Sequence, residues 1–318
     1  MIDSYGRKIN YLRLSVTDRC NLRCQYCMPE NGIEKMEHKD ILSIEEMDTI
    51  VGIFAKMGIT KIRLTGGEPL VRGGILTLIK KIKAHQEIKE VALTTNGLLL
   101  KEMARDLKDS GLDRVNISVD SLDPEKFSRM TRGGHLEDLL AGIKEAKRVG
   151  LTPIKLNVVL IGGFNDDEIP DFVAMTKDQA IDVRFIELMP IGEVARWSKS
   201  NFLANQTVLE RVPELTPVED EDPASPAKYY RLPGGKGKVG LISPITCKFC
   251  EDCNRIRLTP EGKLKYCLHS DEEFDLKKAL DEGVDLSKYI IESIQKKPKE
   301  HNLENGKSII RNMVQIGG

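Results

Sequence analysis

Three cysteines stand at Cys20, Cys24 and Cys27 with C-x3-C-x2-C spacing, and four more follow at Cys247, Cys250, Cys253 and Cys267 with none between. Three thiolates at the first spacing can hold three irons of a 4Fe-4S cube and leave the fourth iron open to a reactant. A zinc site would want a fourth Cys or His close by, and the nearest histidine is His38. In the second group Cys250 and Cys253 form a C-x2-C pair, with Cys267 further along the chain. That pattern fits a second 4Fe-4S cluster with three ligands, or a zinc site completed by Cys247.

The other unusual residues are cations inside apolar strand-like runs: Arg13 in Leu-Arg-Leu, Arg63 in Ile-Arg-Leu, Lys155 in Ile-Lys-Leu and Arg184 in Val-Arg-Phe. Parallel strands covered on both faces are normally near-continuous apolar runs. A lone buried cation costs several kcal/mol, so an anion should meet each of them. Glu68 and Glu187 could supply it within the chain. Alternatively, the cations converge on the C-terminal mouth of the strands and hold a polyanion such as a triphosphate, which Arg binds with paired hydrogen bonds.

The elements that position these residues show in the hydrophobic pattern. Strand-like runs at 11–16, 61–65, 91–95, 114–119, 154–160 and 183–188 alternate with helix-like stretches, which predicts a parallel sheet with right-handed crossovers. Ser43-Ile44-Glu45-Glu46 is a capping box opening a helix toward Met57, and Gly58 closes it. Gly111 and Gly150 end the stretches 99–110 and 137–149 in the same way. Six such units are too few for a closed eight-stranded barrel and predict an α/β fold, a partial, open (β/α)6 TIM-like barrel. The acidic, proline-rich segment 217–226 reads as an exposed loop. Strand-like pieces at 228–232, 238–243 and 255–258 and a polar helix over 275–295 then read as an extension built on the barrel. The expected division is a barrel over 1–217 and, over 218–318, an extension carrying the second cysteine group.

Composition narrows the class. The 318 residues carry 48 Lys+Arg against 49 Asp+Glu, a formal charge of −1, so no global basic field draws the chain to nucleic acid or an anionic membrane. Aromatic residues make up only 5%, which argues against a stacking platform for nucleic acid. The N-terminus lacks a signal-like pattern and no 18 apolar residues run together, so a cytoplasmic protein is expected. In that setting clustered cysteines bind metal or do redox chemistry rather than pair as disulfides.

The segment from Arg13 through Cys20-Asn-Leu-Arg-Cys24-Gln-Tyr-Cys27-Met-Pro, with Thr65-Gly-Gly-Glu-Pro69 after the second strand, resembles the radical S-adenosylmethionine (SAM) enzymes. In that superfamily the open iron binds the amino and carboxylate groups of SAM, and the reduced cluster cleaves SAM to a 5′-deoxyadenosyl radical. Gly66 and Gly67 would let the strand end approach the methionine ammonium, although on its own such a pair reads as a turn needing positive φ. Phe249-Cys-Glu-Asp-Cys-Asn-Arg-Ile-Arg-Leu-Thr259, Gly262-Lys-Leu-Lys-Tyr-Cys267 and the final Ile316-Gly317-Gly318 make essentially the whole chain similar to the GTP 3′,8-cyclases. That family converts GTP to (8S)-3′,8-cyclo-7,8-dihydroguanosine 5′-triphosphate in the first step of molybdenum-cofactor biosynthesis.

The resemblance implies one 4Fe-4S cluster on Cys20, Cys24 and Cys27 and a second on Cys250, Cys253 and Cys267, whose open iron meets the guanine base. SAM would lie against Tyr26, Gly67, Ser118 and Met189, and GTP against Arg13, Arg63, Thr94, Lys155, Arg255, Ile256 and Arg257, with Arg184 a plausible addition. Cys247 departs from the family pattern and reads as an additional thiol, with a rival ligand set containing it still open. Terminal glycines usually read as a disordered end. By resemblance Gly317 and Gly318 reach the active site and share in catalysis. The implied partners are an electron donor such as flavodoxin or ferredoxin and a downstream cyclic pyranopterin monophosphate synthase, and a homodimer is admissible. Two other readings stay open: a peptide-modifying radical SAM enzyme whose second cluster transfers electrons, and a zinc-stapled, non-catalytic binding protein.

Overall fold

A computed structural model describes residues 1–219, 222–301 and 309–317. Strands and helices alternate through the first part: β1 (Tyr11–Ser15), α1 (Ile44–Lys56), β2 (Lys61–Thr65), α2 (Ile75–Ala84), β3 (Glu90–Thr95), α3 (Leu100–Asp109), β4 (Arg114–Ser118), α4 (Pro124–Thr131), α5 (Leu136–Arg148), β5 (Ile154–Leu160), α6 (Ile169–Asp178) and β6 (Ile181–Glu187). Two short helices follow, α7 (Ala195–Ser200) and α8 (Gln206–Arg211). The remaining strands are β7 (Thr216–Val218), β8 (Ala227–Arg231), β9 (Val239–Ile242), β10 (Arg255–Leu258), β11 (Lys263–Lys265) and β12 (Phe274–Asp275). The helices α9 (Leu276–Asp281), α10 (Leu286–Gln295) and α11 (Met313–Ile316) complete the chain. The single helix expected over 275–295 is two, because Gly283 takes φ +68° between them.

The capping box at the start of α1 forms as the sequence predicts: the Glu46 amide donates to Ser43 Oγ at 3.1 Å and the Ser43 amide to Glu46 Oε2 at 2.6 Å. Along β5 the residues Ile154, Leu156, Val158 and Leu160 are buried while Lys155, Asn157 and Val159 are less so. Period-two alternation therefore sends one set of side chains under the helices and the other into the concave interior. The main core lies between sheet and helices and includes Leu12, Leu14, Ile62, Leu64, Leu93 and Ile117, none of them exposed.

Among the described residues the sheet is open and has twelve strands in the order β12-β11-β10-β1-β2-β3-β4-β5-β6-β9-β8-β7. The six expected strands are parallel and adjacent. The extension does more than sit on them. β10 pairs parallel with β1 and β9 parallel with β6, so the parallel array grows to eight strands by insertion at both edges. Antiparallel β11 and β12 on one side, and β8 and β7 on the other, finish the sheet. Among the described residues no helix is long and apolar enough to cross a membrane.

Candidate active site

Register and alternation bring polar side chains two residues apart onto the inner face of each strand. Arg13 lies between Arg257 of β10 and Arg63 of β2, Asn116 stands beside Lys155, and Asn157 beside Arg184. A cavity of about 340 Å³, adequate for a small-molecule site, opens among them. Cys20, Cys24 and Cys27, on the loop after β1, line one part of it, and Cys250, Cys253 and Cys267 line another. The two groups are over 200 positions apart in sequence and share one space because β10 inserts beside β1. All six are free, partly buried thiols; Cys247 is free and exposed and does not line the cavity. Among the described residues no three His, Cys, Asp or Glu side chains converge as ligands of a single metal ion.

The first triad is surrounded by carboxylates and backbone donors. Burial raises Cys24 well above the usual thiol range and brings Cys27 up to about 12, with neighbouring cysteines adding to both shifts. The Leu22 amide donates to Cys20 Sγ at 3.3 Å. Burial pushes Asp120 up to about 6; its carboxylate accepts from Tyr26 OH at 2.8 Å and from the Val159 amide at 2.9 Å. Glu68, similarly raised to about 7 by burial, accepts from the Leu70 and Asn96 amides and from Thr95 Oγ1.

Around the second triad the groups are cationic. Burial alone would raise the Cys253 thiol, yet Arg255 and Lys297 bring it down to about 6, while Cys250 stays raised by burial. Arg255 packs over the Phe249 ring, 4.9 Å from its centroid. His269, held down to about 2 by burial and by His301, faces Met189 Sδ at 3.2 Å. That contact links the second cysteine loop to the segment after β6.

Of the residues proposed from sequence, Arg13, Arg63, Thr94, Arg255 and Arg257 line the main cavity, as do Tyr26, Gly67, Ser118 and Met189. Ile256 lies between two arginines on β10, so alternation turns its side chain into the core and leaves only its backbone to the cavity side. Lys155 does not join the others at the C-terminal mouth. It is the second residue of β5, and it lines a further cavity of about 200 Å³ toward the strand beginnings. This second cavity shares Tyr11, Arg63, Arg184, Pro226 and Arg255 with the first. It adds Lys61, Arg114 and Lys238, so that seven cations line it beside Asp182 and Asp222, with Arg114 also paired to Glu90 at 2.5 Å. Lys61 pairs with Asp222 at 3.0 Å and Lys155 with Asp182 at 3.6 Å. Sequence reasoning missed Lys61 and Arg114. The available signal was the same two-residue spacing, Lys61-x-Arg63 and Arg114-x-Asn116-x-Ser118.

Both glycine motifs have steric explanations. A Cβ on Gly67 would sit 2.3 Å from the Arg19 carbonyl oxygen, and one on Gly66 2.6 Å from that of Thr17. The pair lets the end of β2 pack backbone-to-backbone on the start of the cysteine loop, where the Gly67 amide donates to Thr17 O at 2.8 Å. Gly317, at φ +69°, has its carbonyl on Arg257 Nη1 at 2.7 Å, and a Cβ there would fall 2.5 Å from Thr65 Oγ1. Gly318 lies outside the described residues. Burial draws Arg63 and Arg257 down to about 10, so both remain cations at neutral pH. Among the described residues Arg63 Nε, Arg184 Nε, Arg255 Nη2 and Thr94 Oγ1 are buried without a hydrogen-bond partner. Such a set of donors suits an anionic ligand.

A profile of the Radical SAM superfamily matches residues 14–176, and one described as Molybdenum Cofactor Synthesis C matches 181–303. The "GTP 3′,8-cyclase" of Peptoclostridium acidaminophilum is 59% identical over 100% of this chain and 98% of its own. That of Alkaliphilus oremlandii is 54% identical over 100% of both. The solved structure of Streptococcus suis SuiB matches with a TM-score of 0.60 over 89% of this chain and 66% of that one; at 13% identity the likeness speaks for the fold alone. With more than half of the residues identical along its full length, this chain belongs to the GTP 3′,8-cyclase family of radical SAM enzymes.

Proposed function

We propose that the chain cyclises GTP to 3′,8-cyclo-7,8-dihydro-GTP. One observation carries the reading: both cysteine triads and the strand cations open on a single cavity, and a second, more cationic cavity shares its walls. Cys20, Cys24 and Cys27 would hold a 4Fe-4S cluster, which with SAM would supply the radical chemistry needed at the ribose C3′–H bond. A cube offers each thiolate its own iron, and three free thiolates facing one cavity would leave its fourth iron open to a ligand there. The same argument assigns a second 4Fe-4S cluster to Cys250, Cys253 and Cys267.

The protein's own contribution is placement and charge. Tyr26, Gly67, Ser118 and Met189 wall the SAM side, where the carboxylates of Glu68 and Asp120 suit a cationic cosubstrate. The guanine faces the second triad and the ribose lies between the triads. The phosphates run from Arg13, Arg255, Arg257 and Thr94 into the second cavity, toward Arg63, Arg184, Lys61 and Lys155. Buried guanidiniums with unused donors gain most from phosphate oxygens. The tail meets the cavity through Met313, which lines it, and through the Gly317 carbonyl, which accepts from the lining Arg257. The division expected at 217/218, which falls inside β7, is read as one of function: the first part cleaves SAM and holds most of the phosphate contacts, and the extension holds the guanine. A flavodoxin or ferredoxin supplies the electron, and a cyclic pyranopterin monophosphate synthase consumes the product.

The test is anaerobic. Protein loaded with iron and sulfide, then given dithionite, SAM and GTP, should yield 5′-deoxyadenosine and cyclised GTP in step. Formation of 5′-deoxyadenosine without cyclised GTP, from protein holding two clusters, would overturn the substrate and favour the peptide-modifying reading.

A further inference from the structure

Lys297 follows α10 in a run, Lys296-Lys297-Pro298-Lys299, that reads as a solvated charge cluster. In the fold it is 3% exposed. Its ammonium has three protons to donate and three acceptors around it: Tyr266 O at 2.5 Å, Arg255 O at 3.1 Å and Cys253 Sγ at 3.6 Å. Arg255 lies two residues after Cys253 and Tyr266 one before Cys267, so this one side chain touches both arms of the second triad. Arg7 braces the same region from outside, donating to Cys250 O at 2.8 Å and to Pro298 O at 2.7 Å. The two cations differ in their counter-charge. Arg7 is matched by Asp3 at 2.6 Å, whereas Lys297 faces two neutral carbonyls and a sulfur.

Burying an ammonium is costly unless its charge is used. Two carbonyls alone would position the loop, and a neutral donor could satisfy them. The third contact is the one that needs charge. Adding an electron to an iron-sulfur cluster adds negative charge that spreads onto its thiolates, and N–H donors and nearby cations stabilise the reduced form. We propose that Lys297 is a positioning residue of the second cluster, whose N–H···S bond to Cys253 and buried charge raise that cluster's reduction potential and retain it in its loop. This rests on the assignment of a cluster to Cys250, Cys253 and Cys267. Backbone amides serve both triads, Leu22 on Cys20 and Arg255 on Cys253, and Cys20 adds the neutral Asn96 side chain where Cys253 adds the cationic Lys297 and Arg255.

The test uses the full chain loaded anaerobically with iron and sulfide, reduced stepwise with dithionite and followed by electron paramagnetic resonance, with iron counted in parallel. Wild type should show two reduction steps, and Cys24→Ala should remove one of them. In Lys297→Met the surviving step should move to more negative potential while the other stays, and Lys297→Arg should return it toward wild type. Loss of half the iron in Lys297→Met that Lys297→Arg restores also supports the assignment. Two unmoved steps, two steps moved equally, or an arginine variant as altered as the methionine one would overturn it. A wild type with a single step and half the expected iron would overturn the second cluster itself, a failure distinct from that of Lys297.

Discussion

The two cysteine triads share a cavity and differ in nearly everything around them. Cys24 and Cys27 sit where burial, then neighbouring thiols and Asp120, disfavour ionisation. Cys253 is as deeply set, yet Arg255 and Lys297 hold its thiol at about 6. The contrast follows the charge of what each end of the cavity would hold. An acidic, desolvated end suits the ammonium and sulfonium of SAM, and a cationic end suits a nucleotide. It also implies that iron must displace protons from the first triad, while one thiolate of the second is already available.

The sharpest way to break the comparison is to remove one triad at a time. Cys24→Ala should abolish 5′-deoxyadenosine formation and halve the bound iron. Cys253→Ala should also halve the iron, but should keep SAM cleavage within a few-fold while losing cyclised GTP. Equal loss of SAM cleavage in both variants would show that the triads act as one unit. Thiol chemistry in the iron-free protein gives the next largest contrast. Only thiolates alkylate quickly. With Cys253 near 6 it is ionised at pH 7, and its labelling should fall as pH drops through 6. Cys27, near 12, stays protonated across that range. Iodoacetamide at pH 7 followed by peptide mapping should therefore find Cys253 labelled at least tenfold faster than Cys27, and equal rates would remove the electrostatic contrast.

How much of this was legible in sequence depends on the range of the interaction. The cysteine spacing, the capping box of α1 and the six strands β1 to β6 are local signals, and each is recovered within two residues. The insertion of β9 and β10 was not legible: each is four residues long, and parallel pairing across 56 positions (Val183 to Val239) or 244 (Tyr11 to Arg255) leaves no local mark. Lys155 looked like a mouth residue because hydrophobic pattern does not report how far strands are staggered. The glycine pair at 66 and 67 read as a ligand cradle or a turn; it lines the cavity, and its contacts add a backbone-to-backbone joint with the cysteine loop that spacing does not announce. Lys297 was invisible because its neighbours are exposed lysines and its partners come from a different part of the chain.

The tail ties the two halves of the comparison together. Gly317 O takes a hydrogen bond from Arg257 on the cationic side, and the Val314 amide donates to Cys27 on the acidic side. In Gly317→Ala the new Cβ would strike Thr65 Oγ1 and occupy a left-handed φ, together costing roughly 1–3 kcal/mol if the tail holds its place. The tail should shift instead, and GTP turnover should fall about tenfold, a loss of about 1.4 kcal/mol of transition-state stabilisation. SAM cleavage without GTP should change less. Full turnover in this variant would leave the tail without a role.

The smallest effect is expected at the seventh cysteine. Cys247 is three residues before Cys250, the spacing that would let it replace Cys267 as a ligand. Yet it is exposed and off the cavity wall, its amide is used on Ser243 O at 3.0 Å, and its sulfur lies beside Lys228. To reach the other thiols it would have to leave that turn, whereas Cys267 already lines the same space as Cys250 and Cys253. Cys247→Ser should therefore keep its iron, its alkylation pattern at Cys253 and its turnover, while Cys267→Ser should lose half the iron. The opposite result would redraw the second triad as Cys247, Cys250 and Cys253, and would move its cluster out of the cavity toward solvent.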